Sequence, residues 1–318
     1  MKNRQDDRCD DLLTVRDWLR HAVSRFNAAR LVYGHGTSTA LDEAAFLILA
    51  TLHLPIDDLA PWLDARLTRE ERARLAAIVD ARVETRKPAP YLTNCAYIGG
   101  NRFYVDERTI VPRSFIGELL CAEIAAEDMV SPLALENAAP ETVLDLCTGG
   151  GSLAILAALA FPDAHVDAVD LSADALAVAA RNVADYGLDD RITLMRSDLF
   201  SALGSKRYDL IVSNPPYVRD AAVDAFPPEY KAEPRMAHAG GGDGLDLVRR
   251  ILDATGRHLT RDGTLVVEIG QEREALEESR PDLPFLWLDT AESSGEVFQL
   301  PAAALAATPK RGKPRKGT

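Results

Sequence analysis

The chain of 318 residues is 47% hydrophobic and 27% charged, as expected of an ordinary folded protein of about two domains. Its formal net charge of −13 argues against a general nucleic-acid binder and favours a basic protein as partner. No apolar run reaches the roughly 18 residues that a membrane span requires, and the first residues are too charged for a signal peptide, so a cytoplasmic location is expected. The four cysteines lack C-x-x-C spacing, so no metal site or disulfide framework is expected.

Residues 1–88 have the apolar periodicity of a small helical domain. The segments TVRDWLRHAVSRFNAARL, TALDEAAFLILATLHL and LTREERARLAAIVDARVETR are each predicted to form a helix. Thr39 and Thr68 precede the second and third of these helices and are the expected N-caps. The histidines of this region are isolated, and it contains no recognisable set of catalytic residues.

A β-hairpin is predicted in residues 89–108. Its strands, YLTNCAYI and RFYVD, flank a Gly99-Gly100 turn. This hairpin is the expected connection between two domains. A corner at Arg113 follows, and then a helix with Ser114 as its expected N-cap.

Strands and helices alternate through residues 109–302, which favours an α/β fold with a doubly wound, mostly parallel sheet. The predicted strands are TVLDLCT, AHVDAVD, RITLMRSD, YDLIVSN, GTLVVEIG, FLWLDT and EVFQL. The last two lie close enough in sequence to form an antiparallel pair. Residues 303–318 form a basic tail that is expected to be disordered, and a weak contact with RNA is the alternative interpretation.

A glycine-rich turn follows the first strand of this alternation and leads into a helix. It consists of Cys147, Thr148, Gly149, Gly150 and Gly151. Such a turn lets a ligand approach the backbone and the unpaired N–H groups of the helix. The spacing fits a dinucleotide as well as S-adenosylmethionine, so the turn alone does not distinguish between these cofactors.

Acidic residues follow the next two strands. Asp170, at the end of the second strand, could accept the ribose hydroxyls of either cofactor. Asp198, after the third strand, could accept an adenine amino group, and Leu199 or Phe200 could cover the adenine face. These positions predict a nucleoside site at the ends of the strands.

The stretch VSNPPYV, residues 212–218, decides between the two cofactors. Its two prolines form a rigid corner that presents Asn214 and Tyr217. The Asn214 side-chain oxygen and the Pro215 carbonyl can each accept one hydrogen of a planar NH₂ group, which turns the nitrogen lone pair toward a methyl donor. Tyr217 can lie flat against a planar amide or base. A nicotinamide enzyme has no use for such a corner, so S-adenosyl-L-methionine is the expected cofactor.

LDLCTGGGSLAI together with NPPYV resembles the class I S-adenosylmethionine-dependent methyltransferases that modify glutamine side-chain amides, relatives of the release-factor methyltransferase. The resemblance extends from the helical domain to about Leu300. PRSFIGEL at 112–119, with YLTN and FYVDER, is similar to the ribosomal-protein branch (PrmB type), whereas the release-factor branch carries Pro-Arg-Pro-Glu-Thr-Glu there. Cys147, where the other branch usually has glycine, indicates the same branch.

The resemblance implies methylation of a glutamine in the third protein of the large ribosomal subunit, a basic partner, with residues 1–88 recognising the substrate. The candidate cofactor contacts are Cys147, Thr148, Gly149, Gly150, Gly151, Asp170, Asp198, Leu199 and Asn214. The candidate substrate contacts are Asn214, Pro215, Pro216, Tyr217 and Arg113, of which Asn214, Pro215 and Tyr217 are the expected catalytic residues. Further candidates are Phe103, which could help shape the site, and Glu229, Glu233 and Arg235, which could cover a bound peptide or form a solvated loop. Glu268 is expected to be structural.

Four alternatives are left open. The same reaction could act on a release factor. A nucleic-acid amino-methyltransferase could use Asn-Pro-Pro-Tyr on adenine or guanine, but the chain is acidic and no basic target-recognition domain is visible. A ribosome-assembly factor without activity would not need Asn214 and Asp170. A dinucleotide oxidoreductase would need a site for the hydride acceptor, which the sequence does not offer.

Overall fold

The structure, a computed structural model, describes residues 10–125, 131–135 and 139–306. The chain forms two compact units. The first ends at Arg113 and also includes the later segment Asp224–Arg235, and the remaining described residues form the second. Residues 89–108, predicted as a linker, and segment 224–235 therefore group with the helices of the first unit.

The first unit is built mainly from helices. They are α1 (Val15–Ala28), α2 (Ala40–Thr51), α3 (Arg69–Thr85) and α4 (Ala89–Thr93). The hydroxyl of Thr39 accepts the Asp42 N–H and that of Thr68 accepts the Glu71 N–H, so both predicted N-caps are confirmed. Phe26, Leu47 and Val79 pack together in the interior of these helices.

The predicted hairpin is shorter than its sequence suggested. Strands β1 (Ala96–Ile98) and β2 (Asn101–Phe103) pair in antiparallel fashion around the two glycines. The stretch YLT, predicted as the start of the first strand, is instead helical and belongs to α4. Pro90 lies in the first turn of this helix, where its missing N–H costs no hydrogen bond, and Asn94 ends the helix in the left-handed conformation.

The second unit contains a seven-stranded sheet in the order β5-β4-β3-β6-β7-β9-β8. Its strands are β3 (Thr142–Leu146), β4 (His165–Asp170), β5 (Ile192–Arg196), β6 (Tyr208–Ser213), β7 (Leu259–Glu268), β8 (Leu286–Asp289) and β9 (Ser294–Pro301). Strands β3 to β7 run parallel, whereas β9 is antiparallel to both β7 and β8. The predicted doubly wound, mostly parallel fold and its final antiparallel pair are confirmed.

The remaining helices alternate with these strands. They are α5 (Phe115–Ala125), α6 (Ser152–Ala160), α7 (Ala173–Asp185), α8 (Asp220–Asp224), α9 (Pro228–Lys231), α10 (Asp246–Thr255), α11 (Arg273–Ser279) and α12 (Ala302–Ala306). Helix α9 lies in the segment that joins the first unit. Within the parts of the chain that the structure describes, no helix has the length and apolar character needed to cross a membrane.

The tail differs in part from its prediction. Residues 303–306, assigned to a disordered tail, belong to α12, and Leu305 is buried against the core of the second unit. Burial of this leucine contributes about 1.5–3 kcal/mol and favours an ordered last turn. The basic residues from 307 onward lie outside the described residues, and so does the predicted RNA contact.

The core of the second unit lies on the sheet. Leu144, Ile211, Val267 and Phe298 have no exposed surface. Strand order reverses at β3, because the chain proceeds from β3 to β4 and β5 on one side and then places β6 on the other. Parallel sheets of this kind bind their ligands at the carboxyl ends of the strands beside such a reversal.

Candidate active site

The glycine-rich turn connects the end of β3 to the start of α6. Cys147, Gly149 and Gly151 all have positive φ, at 62°, 54° and 82°. A Cβ atom at Gly151 would lie only 3.1 Å from the Ala179 Cβ of α7, so the turn requires a glycine there both for conformation and for space. The buried side chain of Asn182, also on α7, donates to the Gly150 carbonyl at 2.8 Å. The turn is thus held rigidly against α7.

Asp145 lies in β3, just before the glycine-rich turn, and was not identified from the sequence. Its carboxylate is fully buried, and Oδ2 accepts the Thr148 hydroxyl at 2.5 Å and the Ala154 N–H at 3.0 Å. Burial raises its pKa to about 7. The second oxygen, Oδ1, is buried and has no hydrogen-bond partner in the described parts of the chain. The available signal was an acidic residue inside an apolar strand.

Asp170 ends β4, the strand beside β3, and contacts the turn directly. Its Oδ2 accepts the Gly149 N–H at 2.9 Å, and its Oδ1 accepts the Ser172 N–H at 2.8 Å. Burial raises the pKa of this carboxyl group above its usual value. Each carboxylate oxygen can accept more than one hydrogen bond, so Asp170 retains the capacity to accept ligand hydroxyls.

Asp198 and Leu199 follow β5, as predicted, and line an open cavity of about 760 Å³. The Asp198 side chain is exposed, and both its oxygens accept from Arg250 Nη2 at 2.8 Å. Leu199 is buried with a φ of 48°. Phe200 stacks on His258 with ring centroids 4.7 Å apart. The expected contact of Asp198 with adenine stays a prediction and would compete with Arg250.

The Asn-Pro-Pro-Tyr corner begins where β6 ends, beside the glycine turn. Ser213 pairs with Leu146 across the parallel strands, and its hydroxyl donates to the Leu146 carbonyl at 2.9 Å. Asn214 and Cys147 therefore leave the sheet as neighbours. Pro215 is buried, whereas Asn214 is partly exposed. The fold thus places the corner and the turn at the same edge of the sheet.

Tyr217, the last residue of the corner, is tied to the end of β7. Its hydroxyl donates to Glu268 Oε1 at 2.9 Å. Glu268 is buried, and its Oε2 accepts the Ser114 hydroxyl at 2.6 Å and the Phe115 N–H at 2.9 Å. The carboxylate thereby caps the first turn of α5, where Ser114 alone was expected to do so. Burial raises the pKa of Glu268, and these donors oppose that rise.

Arg113 and the further candidates lie in the first unit, whereas Pro216 belongs to the corner in the second unit. The Arg113 guanidinium donates to both oxygens of Glu233 at 2.7 Å and lies over the Tyr230 ring at 5.7 Å. Phe103 has no exposed surface. Glu229 and Glu233 are buried, so the alternative of a solvated loop is wrong for them; Arg235 is exposed and pairs with Asp224.

The turn and strand ends of the second unit fit S-adenosyl-L-methionine. The start of α6 offers backbone N–H groups, Asp170 offers spare acceptor capacity beside them, and Asp145 Oδ1 is a buried acceptor that finds no donor among the described residues. When bound, this cofactor would supply a methyl group attached to a positively charged sulfur. The sulfur is a good leaving group because it departs as a neutral thioether. The fold and this site define a class I S-adenosylmethionine-dependent methyltransferase.

Comparisons with known proteins agree with this class and narrow it. The Methyltransferase small domain family matches residues 125–226. The ribosomal protein uL3 glutamine methyltransferase of Bordetella pertussis is 54% identical over 296 residues, which cover 93% of this chain and 97% of the relative. The enzymes of that name from Bradyrhizobium diazoefficiens (54% identity, covering 93% of this chain and 92% of the relative) and Neisseria meningitidis serogroup B (51%, 91% and 93%) are similar along nearly their whole lengths. The chain belongs to the family of ribosomal protein uL3 glutamine methyltransferases.

Proposed function

We propose that this chain transfers a methyl group from S-adenosyl-L-methionine to the side-chain amide nitrogen of a glutamine in ribosomal protein uL3. One observation carries the proposal: Asn214 and the glycine turn leave two paired strands as neighbours, through the Ser213–Leu146 pair. This neighbourhood supports a role for the corner in binding the amide beside a cofactor held at the turn. The names of the relatives supply the identity of the substrate.

The corner addresses the main difficulty of the reaction, which is the weak nucleophilicity of an amide nitrogen. The Asn214 side-chain oxygen and the Pro215 carbonyl each accept one N–H of the glutamine amide and fix the orientation of its nitrogen. The proline pair holds these acceptors in place before the substrate arrives, so little reorganisation is needed during the reaction. Tyr217 packs against the plane of the amide.

No dedicated general base is needed, because the methylated nitrogen becomes acidic and loses its proton to water. Cys147, the thiol at this edge of the sheet, is not a candidate base or nucleophile. Burial raises the pKa of its thiol, so the thiol stays protonated at neutral pH. The chain therefore contributes positioning and hydrogen-bond acceptors rather than covalent catalysis.

The partner and its recognition follow from charge and domain organisation. A chain with a net charge of −13 attracts a basic ribosomal protein, and the reaction is proposed to take place in the cytoplasm, where ribosomes assemble. The helical first unit is proposed to recognise the substrate. A substrate contact by Arg113 would have to compete with its ion pair to Glu233. The weak RNA contact is proposed for the tail, whose basic residues are Lys310, Arg311, Lys313, Arg315 and Lys316.

The test is a labelling experiment with three separate acceptors. The protein is incubated with S-adenosylmethionine carrying a radioactive methyl group and with purified uL3, a peptide chain release factor or ribosomal RNA. Label on a glutamine of uL3 is expected. Label on the release factor alone would favour the second candidate substrate. Label on RNA alone would overturn a protein-glutamine methyltransferase altogether.

A further inference from the structure

The side chain of Tyr217 is held at two points by the strand end next to it. Its hydroxyl donates to Glu268 Oε1 at 2.9 Å. Its ring packs against the backbone at Gly270, where an added Cβ would lie 2.8 Å from the Tyr217 Cε2. Gly270 also has a positive φ of 57°, so a side chain at this position is disfavoured twice. The ring therefore lies between a fixed backbone and a fixed acceptor.

Glu268 is itself buried and held by hydrogen bonds. It is only 2% exposed and is the last residue of β7, the strand paired with β6. Its other oxygen is anchored by the Ser114 hydroxyl at 2.6 Å and the Phe115 N–H at 2.9 Å. A carboxylate fixed at one oxygen presents the other in a defined direction. The acceptor for the Tyr217 hydroxyl is thus fixed by the sheet and by the start of α5.

A buried carboxylate is a costly way to satisfy a helix start, because removal of its charge from water is unfavourable. A neutral acceptor would satisfy the Phe115 N–H at lower cost. A charged acceptor does, however, form the stronger hydrogen bond with a phenol. The cost is understandable if the hydrogen bond to Tyr217 has a role beyond stability.

We infer that Glu268 is the positioning residue for Tyr217, holding the phenol ring at the angle at which it packs against the glutamine amide. This inference rests on the proposed function. Without the hydrogen bond the ring can tilt about its side-chain torsions, and the amide plane loses one of its supports. Because the supported geometry matters most as the methyl group moves, the loss falls on kcat rather than on KM for the protein substrate.

A double-mutant cycle tests the inference. Y217F removes only the hydroxyl and E268Q removes only the charge, and turnover on uL3 is measured for each and for the double variant. We expect kcat to fall about 10-fold or more in each single variant, with KM within about 3-fold, and the double variant to be no slower than the slower single variant. E268A should be slower than E268Q, because the amide oxygen of glutamine still accepts the phenol.

Controls separate positioning from general damage. Glu272 follows the same strand and pairs with the exposed Arg219, so E272Q should retain wild-type turnover. Affinity for S-adenosylmethionine and melting temperature are measured for all variants, and E268Q with Y217F suffices for the cycle if E268A does not fold. Wild-type turnover in Y217F, or losses in the two single variants that multiply in the double variant, would overturn the inference. If the wild-type protein instead labels a release factor, the proposed substrate is wrong, and the same cycle on that factor still decides the role of Glu268.

Discussion

The carboxylate of Asp170 accepts the N–H of Gly149 at 2.9 Å, although the two residues lie 21 positions apart. This hydrogen bond joins the end of β4 to the glycine turn that follows β3. The same carboxylate accepts the Ser172 N–H with its other oxygen. Asp170 therefore orders the turn, and we propose that it also accepts the ligand hydroxyls, so cofactor affinity is expected to depend on it in two ways.

Replacement of this carboxylate is expected to weaken cofactor binding. In D170A the Gly149 N–H loses its acceptor and the ribose hydroxyls lose the one proposed for them, and we expect the Kd for S-adenosylmethionine to rise at least about 10-fold, equivalent to about 1.4 kcal/mol. Isothermal titration calorimetry measures this change directly. The matched control is D174N, because Asp174 is an exposed acid in the first turn of the next helix. An unchanged Kd in D170A would remove Asp170 from the cofactor site.

Removal of the Asn214 side chain should separate catalysis from cofactor binding. N214A loses one of the two acceptors that we propose for the substrate amide, so we expect turnover to fall about 100-fold or more. The Kd for S-adenosylmethionine should remain within about 3-fold of the wild-type value, because the turn and Asp170 are untouched. Labelling rates and calorimetry on the same preparation check both statements. Near-normal turnover in N214A would contradict the mechanism.

Asp145 should make stability depend on pH. Burial raises its pKa from 3.8 to about 7, so between these values the folded chain holds a proton that the unfolded chain has released. The contribution of Asp145 to the free energy of unfolding is fully present below about pH 4. It is lost as the pH rises to about 7, at up to about 1.4 kcal/mol per pH unit. D145N lacks this group, so its stability relative to wild type should increase over that window and level off above it. Urea unfolding at a series of pH values measures the difference, and a constant difference would show that Asp145 is ionised in the fold.

Glu229 should be critical for the stability of the first unit. It is fully buried, accepts the Val32 N–H at 3.1 Å and pairs with Arg86 Nη2 at 2.5 Å. E229A would leave Arg86 and the buried Arg82 without this charge, which is expected to cost about 3–5 kcal/mol. Urea unfolding followed by circular dichroism provides the measurement. D64A breaks the exposed pair of Asp64 with Arg16 and should leave the unfolding curve unchanged. If E229A changed the free energy of unfolding as little as D64A, the buried ion pairs of Glu229 would not stabilise the unit.

Much of the fold was predictable because its signals are local. Thr39 and Thr68 cap their helices through the N–H groups three positions later, and such motifs are visible in short stretches. The alternation of apolar strands with helices identified the parallel sheet in the same way. The prediction failed at YLT, where β-prone residues follow a proline that is well placed to start a helix.

The motifs of the candidate site could be recognised in the sequence, but the residues that hold those motifs in place could not. Asp145 is distinguished by its burial and accepts an N–H of the next helix, and Glu268 accepts the hydroxyl of Tyr217 from a different part of the chain. A short sequence motif shows neither burial nor a distant partner. The position of Asn214 beside Cys147 depends on the pairing of Ser213 with Leu146, 67 residues apart. The burial of Glu229 could not be foreseen either, because its stretch of sequence is polar and follows the corner as an ordinary surface loop would.

Segment Asp224–Arg235 leaves the second unit, joins the first and returns. The polypeptide therefore passes between the two units three times, after Arg113, before Asp224 and after Arg235. Cleavage at one position could not yield two self-sufficient fragments. A fragment that starts at Ser114 would retain Glu229 and Glu233 but lack Arg86 and Arg113, so two acidic side chains would be left without the cations that neutralise them.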